Sequence, residues 1–174
     1  MERGYFVGRM NPIHLGHEAI IDFMLEQYGP QNSTIIVGSS NSPQSLRHFF
    51  NLQERCGFIK TLYPEVEILS IPDHADDETW LFDLDQKIEA KGGPGSAAEA
   101  RFFGGSQEDV EFFVNTGRHV LILNRFDGTT PPISATEVRD ALIEKRSVEN
   151  LLNPKVAGHI SELFSRKWQE FKRK

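Results

Sequence analysis

Short apolar, β-branched runs alternate along this chain with longer stretches in which apolar residues recur every three or four positions. The short runs predict strands near residues 5–7, 34–37, 67–71, 101–103 and 119–123. The longer stretches predict helices near residues 15–27, 52–62, 78–91, 107–116 and 136–145, with a last one over 154–171. Thr34-Ile35-Ile36-Val37 is continuously apolar after its threonine, as a strand buried on both faces should be. Strands spaced by helices argue for an α/β fold: a mostly parallel five-stranded sheet with helices on both faces and a C-terminal helix. Several boundaries have a mechanism. Asn153-Pro154 supplies an N-cap and a proline at the first helical position, and Tyr28-Gly29-Pro30 stops the first helix. The run Gly92-Gly93-Pro94-Gly95-Ser96-Ala97-Ala98 is flexible in composition but too short to separate two domains, so residues 1–174 are read as one domain.

Composition narrows the function. A formal net charge of −6 disfavours a nucleic-acid partner, and the basic Lys172-Arg173-Lys174 reads as a solvated tail. Cys56 is the only cysteine, so intrachain disulfides and Cys-rich zinc sites are excluded, and its apolar helical setting predicts an inert thiol. The first residues carry no apolar signal core, and no run approaches the ~18–20 apolar residues of a membrane span. A cytoplasmic protein without a membrane partner is expected.

The densest chemistry lies in Gly8-Arg9-Met10-Asn11-Pro12-Ile13-His14-Leu15-Gly16-His17, between the first strand and the first helix. A strand, a glycine-bearing turn and a helix start direct backbone N–H groups and the positive helix end at one point. Arg9, His14 and His17 add cationic or donor side chains there, the histidines spaced i,i+3 on one side of the first turn. The pattern suits polyphosphate. A metal pair is the rival reading, but no glutamate stands between the histidines in zincin spacing and Cys56 is on a distant helix. Gly16 is expected to let phosphate approach the backbone. In open parallel sheets ligands collect beyond the carboxyl ends of the strands, and the loops 8–17, 38–47, 73–77, 104–106 and 124–136 all fall there. Arg47 in its polar loop is a candidate anion ligand, whereas Glu54 and Arg55 read as an ordinary surface pair. Ser134 and Thr136 are either a helix cap alone or a cap that also touches phosphate. Trp80 shares a helical face with Leu84 and Ile88, so core packing competes with a binding role. His74, His119 and His159 read as structural, and Trp168 with Leu163, Phe164 and Phe171 as a stripe packing on the body or on another subunit.

The segment 8–17 resembles the first signature of the nucleotidyltransferase superfamily with the His-x-Gly-His motif. Ile133-Ser134-Ala135-Thr136-Glu137-Val138-Arg139 is similar to its second, the Ile-Ser-x-Thr-x-x-Arg signature. Gly38-Ser39-Ser40, the segment 45–55, and Ile71-Pro72-Asp73 followed by Trp80 resemble the archaeal-type nicotinamide mononucleotide adenylyltransferases. The resemblance implies a Rossmann-like, doubly wound fold and transfer of AMP from ATP to nicotinamide mononucleotide, giving NAD. Pyrophosphate is released, and Mg2+ assists, held mainly by the substrate phosphates. It implies that His14, His17 and Arg139 are catalytic and hold the triphosphate. Gly8, Arg9, Met10, Asn11, Gly16, Gly105, Ser134 and Thr136 would contact ATP; Gly38, Ser39, Arg47, Asp77 and Trp80 would contact the acceptor. Three departures fall where the acceptor sits. Asp77 replaces an asparagine three residues before the tryptophan, His48-Phe49-Phe50-Asn51 replaces Asn-Pro-Phe-Thr, and Gly105-Ser106-Gln107 replaces Gly-Asn-Pro. A carboxylate only accepts hydrogen bonds, whereas an amide also donates. A related transferase using CTP or another acceptor, and a non-catalytic nucleotide sensor, are the competing readings; a homo-oligomer is possible in each.

Overall fold

The computed structural model describes residues 2–105, 107–123 and 130–173. Five strands form one parallel sheet: β1 (Gly4–Gly8), β2 (Ser33–Val37), β3 (Glu67–Ser70), β4 (Arg101–Gly104) and β5 (His119–Ile122), in the order β3-β2-β1-β4-β5. Every described pairing is parallel, so the sheet is wholly rather than mostly so. β1 is central, with Phe6 registered opposite Ile35 on one side and Phe103 on the other. The chain leaves β1 in both directions, which is the doubly wound topology and opens a crevice where the order reverses.

Alternation along the strands divides the core in two. Phe6, Ile35, Val37 and Phe103 point to one face and pack under α1 (Leu15–Tyr28), α2 (Leu52–Leu62), α6 (Ala135–Ile143) and α7 (Pro154–Phe171). Tyr5, Ile36 and Phe102 point to the other, under α3 (Asp77–Gly92), the short α4 (Ser96–Glu99) and α5 (Gln107–Asn115). The helix starts follow from their caps: Asn51 and Glu54 form a reciprocal box on α2, Asp76 caps α3, Ser134 caps α6, and Asn153 with Pro154 opens α7.

Some expectations shift. β3 ends at Ser70, not Ile71: the Ile71 N–H still donates to the Val37 carbonyl at 3.0 Å, but the next donor on that side, the Asp73 N–H, goes to Asn41 Oδ1 at 2.8 Å. The glycine-rich 92–98 stretch is not merely a loop: Gly93 and Gly95 take φ of 85° and 83°, and the turn they make seats Ala97 and Ala100 in the second core as α4. The apolar stripe of α7 packs on the body: Phe164 lies 4.3 Å from Phe49, ring centre to ring centre, and Trp168 6.2 Å from it. Cys56 is half-buried, and burial pushes its thiol up. Among the described residues no helix is long and apolar enough to cross a membrane. Ser106 and residues 124–129, which belong to two of the expected ligand loops, and Lys174 lie outside the described residues.

Candidate active site

A cavity of ≈ 870 Å³ opens at the carboxyl edge of the sheet, between the ends of β1, β2 and β4 and the starts of α1 and α6. That is ample for a nucleotide. Two helix N-termini converge on it, through His14, Gly16 and His17 on one side and Ser134, Ala135 and Thr136 on the other. Their partial positive charge favours an anion there.

The two histidines form a pair that the motif spacing alone does not reveal. His14 is the N-cap of α1, and its Nδ1 accepts from the His17 backbone N–H at 3.4 Å. His17 reaches back, its Nδ1 accepting from the His14 N–H at 3.3 Å. This is a capping box made of two imidazoles, with ring centres 3.6 Å apart and 24° between planes. A neutral ring whose Nδ1 accepts carries its proton on Nε2. The cap thus fixes both tautomers and makes each Nε2–H a donor. Gly16 lies between them for a steric reason. A Cβ there would stand 3.1 Å from the His14 ring and 3.1 Å from the Pro131 carbonyl oxygen. The expected reason for this glycine, close phosphate approach, is thus joined by a packing one.

Arg139 comes into the same cavity, although it is 128 residues from Asn11. It is 7% exposed; Nη1 donates to the Asn11 carbonyl at 2.7 Å and Nη2 to Thr136 Oγ1 at 3.1 Å. Burial lowers its pKa from the ordinary value, Asp140 pulls it back, and the charges of Arg9 and Arg47 lower it further. The repulsion on Arg139 fits three guanidiniums that line one volume. Thr136 therefore orients Arg139, while Ser134 Oγ accepts from the Glu137 N–H as the cap of α6.

The floor is held by residues that sequence reading assigned otherwise. Asn11 reaches the cavity through its backbone, but both ends of its amide are taken by Phe50: Nδ2 donates to the Phe50 carbonyl at 2.8 Å and Oδ1 accepts from its N–H at 2.9 Å. Arg55 is not a surface partner of Glu54. It is 2% exposed and donates through Nη1 to the carbonyls of Arg9 (2.7 Å) and Gly38 (2.8 Å) and through Nη2 to that of Ser39 (3.1 Å). Glu54 instead closes the α2 capping box and pairs with Lys167. Met10 and Ser39 carry φ of 46° and 50°, a left-handed conformation that costs a side-chain-bearing residue about 1–3 kcal/mol. Both sit where Arg55 and Asn11 pin the loops.

All the residues assigned from sequence to catalysis, nucleotide or acceptor line the cavity except Asp77. Asp77 is an exposed first residue of α3, outside the lining. The carboxylate that does face the cavity is Asp73, and it is the only acidic one among the described lining residues. Ser39 Oγ donates to its Oδ1 at 2.9 Å and Ser42 Oγ to its Oδ2 at 2.8 Å. Trp80 is half-buried and serves two surfaces, since it lines the cavity and meets Phe112 edge-on at 5.5 Å. Thr130, 3% exposed, also lines the cavity, with a buried hydroxyl that has no partner among the described residues. His74 bonds Asp83 at 3.0 Å, away from the lining. No three His, Cys, Asp or Glu side chains cluster as a metal site among the described residues.

The chain is similar to known proteins over most of its length. The nicotinamide-nucleotide adenylyltransferase of Pyrococcus furiosus is 26% identical over 171 residues, covering 94% of this chain and 85% of its own length. That of Thermococcus kodakarensis is 25% identical over 173 residues, covering 94% and 84%. A solved structure of a bifunctional NMN adenylyltransferase/ADP ribose pyrophosphatase from Francisella tularensis, complexed with AMP and a Mn ion, superposes with a TM-score of 0.78 at 16% identity. It covers 97% of this chain, which spans about half (51%) of that longer one and shares its fold. The family model described as cytidylyltransferase-like matches residues 5–93, from β1 through α3 and so through the histidine pair, and this chain belongs to that family.

Proposed function

We propose that this chain transfers the adenylyl group of ATP to nicotinamide mononucleotide, forming NAD and releasing pyrophosphate, with residues 1–174 acting as one nucleotidyltransferase domain. The observation that carries the reading is the convergence of Arg9, Arg47 and Arg139 with the His14–His17 pair in a single cavity. The names of the archaeal relatives, matched over most of their length, support the acceptor.

In the reaction an oxygen of the acceptor phosphate attacks the α-phosphorus. The new P–O bond forms as the bond to the bridging β-phosphate oxygen breaks, and its electron pair leaves with pyrophosphate. Charge grows on the α-phosphoryl oxygens and on the leaving group, so catalysis is positioning plus fixed donors rather than covalent attack by the protein. The Nε2–H of His17 donates to an α-phosphate oxygen and that of His14 to the α- or β-phosphate. Arg139, with two of its five donors spent on Asn11 and Thr136, turns the rest to the β- and γ-phosphates. Arg9 and Arg47 take phosphate, and Trp80 stacks on the acceptor base.

The donor set suits a divalent ion that arrives on the nucleotide. Asp73 already accepts from two hydroxyls, and Mg2+ binds oxygen ligands of which phosphates supply several. Mg2+ thus enters as part of the substrate, MgATP. Incubation with MgATP and nicotinamide mononucleotide should yield NAD and pyrophosphate in equal amounts. Parallel arms with nicotinate mononucleotide and with CTP locate a different acceptor or donor, and no product in any arm would overturn the reading.

A further inference from the structure

Arg55 is a cation without an ionic partner: among the described residues no carboxylate lies within ion-pair distance of it, and burial lowers its pKa. It does not line the cavity. All its described bonds go to main-chain carbonyls of the loops after β1 and β2, those of Arg9, Gly38 and Ser39, and its Nε is buried without a partner. A buried guanidinium spent on carbonyls is costly, since its charge is desolvated and not neutralised. Some gain must come through what those carbonyls do.

In a trans peptide the C=O and the following N–H point in opposite directions. Of the peptides in this region only Asn11–Pro12 is cis. Drawing the Arg9 and Gly38 carbonyls towards Arg55, beneath the floor, turns the Met10 and Ser39 N–H groups up towards the cavity that both residues line. Neither N–H has an acceptor among the described residues, whereas the next amide, Ser40, donates to Ile71 O at 3.1 Å. Met10 and Ser39 are also the two lining residues with positive φ, the conformation in which backbone N–H groups make a concave anion receptor.

Resting on adenylyl transfer as the reaction, we infer that Arg55 is a positioning residue for it: it holds the Met10 and Ser39 amides as a pair of phosphate donors across the crevice between β1 and β2. The pair grips the phosphates on which charge develops, in the cavity that the histidine pair also lines. Arg55 touches no substrate, and its positive charge lies under the same phosphates.

Two measurements test this. In Arg55→Met, kcat should fall about a hundredfold, the loss typical of a misplaced transition-state donor, while the acceptor KM stays within a few-fold. Arg55→Lys, which keeps the charge but spans fewer carbonyls, should recover part of the loss. Full kcat in Arg55→Met assayed well below its melting temperature, with only the melting temperature lowered, would reduce Arg55 to a structural strut and overturn the inference. Should Arg55→Met fail to fold, the wild-type protein decides: titration with inorganic pyrophosphate or MgATP should shift the Met10 and Ser39 amide resonances saturably. Unmoved amides would overturn the inference. A protein whose amides respond to pyrophosphate but which makes no NAD would retain the cradle and lose the assigned reaction; NAD synthesis with unmoved amides would do the reverse.

Discussion

The imidazole capping box makes His14 and His17 do two things at once, and the two can be separated. Replacing His14 by alanine removes the acceptor for the His17 N–H (3.4 Å) and the proposed phosphate donor together. Loss of a cap costs about 0.5–2 kcal/mol. At roughly 2–4 °C per kcal/mol for a chain of this size, the melting temperature should fall by roughly 1–8 °C. Asparagine is among the best N-caps, so His14→Asn should restore most of that loss, and His17→Gln should likewise keep the reciprocal bond from the third helical position. Neither restores an Nε2–H at the phosphates. Turnover should therefore fall about 10²–10³-fold in His14→Asn and in His17→Gln, as for removal of one oxyanion donor. Calorimetric melting and steady-state pyrophosphate release, measured on the same preparations, check both halves. If the cap-preserving variants regain turnover along with stability, the imidazoles are helix caps only and the chemistry assigned to them is wrong.

The remaining predictions address three neighbours of the pair. Gly16→Ala should cost about 1–3 kcal/mol by overpacking against the His14 ring and Pro131 O, both 3.1 Å from the new Cβ, and should lower kcat with it; wild-type melting and turnover would show that the contact yields freely. Trp80→Leu keeps an apolar partner for Phe112 and Phe113 while removing the stacking surface, so the acceptor KM should rise about tenfold or more with the ATP KM nearly unchanged, and equal changes in both would make Trp80 core alone. Glu18 is buried with its pKa raised, chiefly by burial and also by Asp22, against the bonds and charges of Asn153 and Lys155. Its contribution to stability is therefore full below the unfolded value near ~4.3 and is lost as pH rises through the higher folded value. Glu18→Gln should raise the melting temperature at pH 8 and flatten its decline above pH ~4.3, and an unchanged pH profile would refute this.

The fold was legible because its signals are local. The short apolar runs of β1, β2 and β4 and the Asn153-Pro154 cap lie within a few positions of what they determine. α4 was not legible, since Gly-Gly-Pro-Gly reads as a loop until Ala97 and Ala100 find the second core. In the site, the histidine motif announces itself within ten residues, whereas Arg55 acts on carbonyls 46, 17 and 16 positions away. A signal for Arg55 was nonetheless present. Arg55, Phe58, Ile59 and Leu62 follow the i, i+3, i+4, i+7 spacing, so the arginine stands on the apolar stripe of α2 and not on its wet face. Asp73 was marked only by the Ile71-Pro72-Asp73 segment and its loop position, and the packing of Gly16 against Pro131 had no local mark, because the loop before α6 creates it.

The way this molecule holds its arginines differs between the site and the rest of the surface. Arg101 pairs with Glu2, Arg118 with Asp85 and Arg146 with Glu144, so each of those charges is neutralised by the protein itself. Arg55 and Arg139 are fixed by carbonyls and a hydroxyl, which set the guanidinium plane without cancelling its charge. That distinction reconciles a chain of net charge −6 with a polyanionic ligand. The acidic excess is screened beyond a Debye length of about 8 Å, while Arg139 lines the cavity and Arg55 lies beneath its floor, both in a partly desolvated space. Burial lowers the pKa of both arginines, and among the described residues no carboxylate within ion-pair distance offsets it, so each is destabilised as a cation. In the proposed reaction a bound triphosphate would relieve that penalty, most where charge accumulates in the transition state, which is the condition for these residues to raise kcat and not merely affinity.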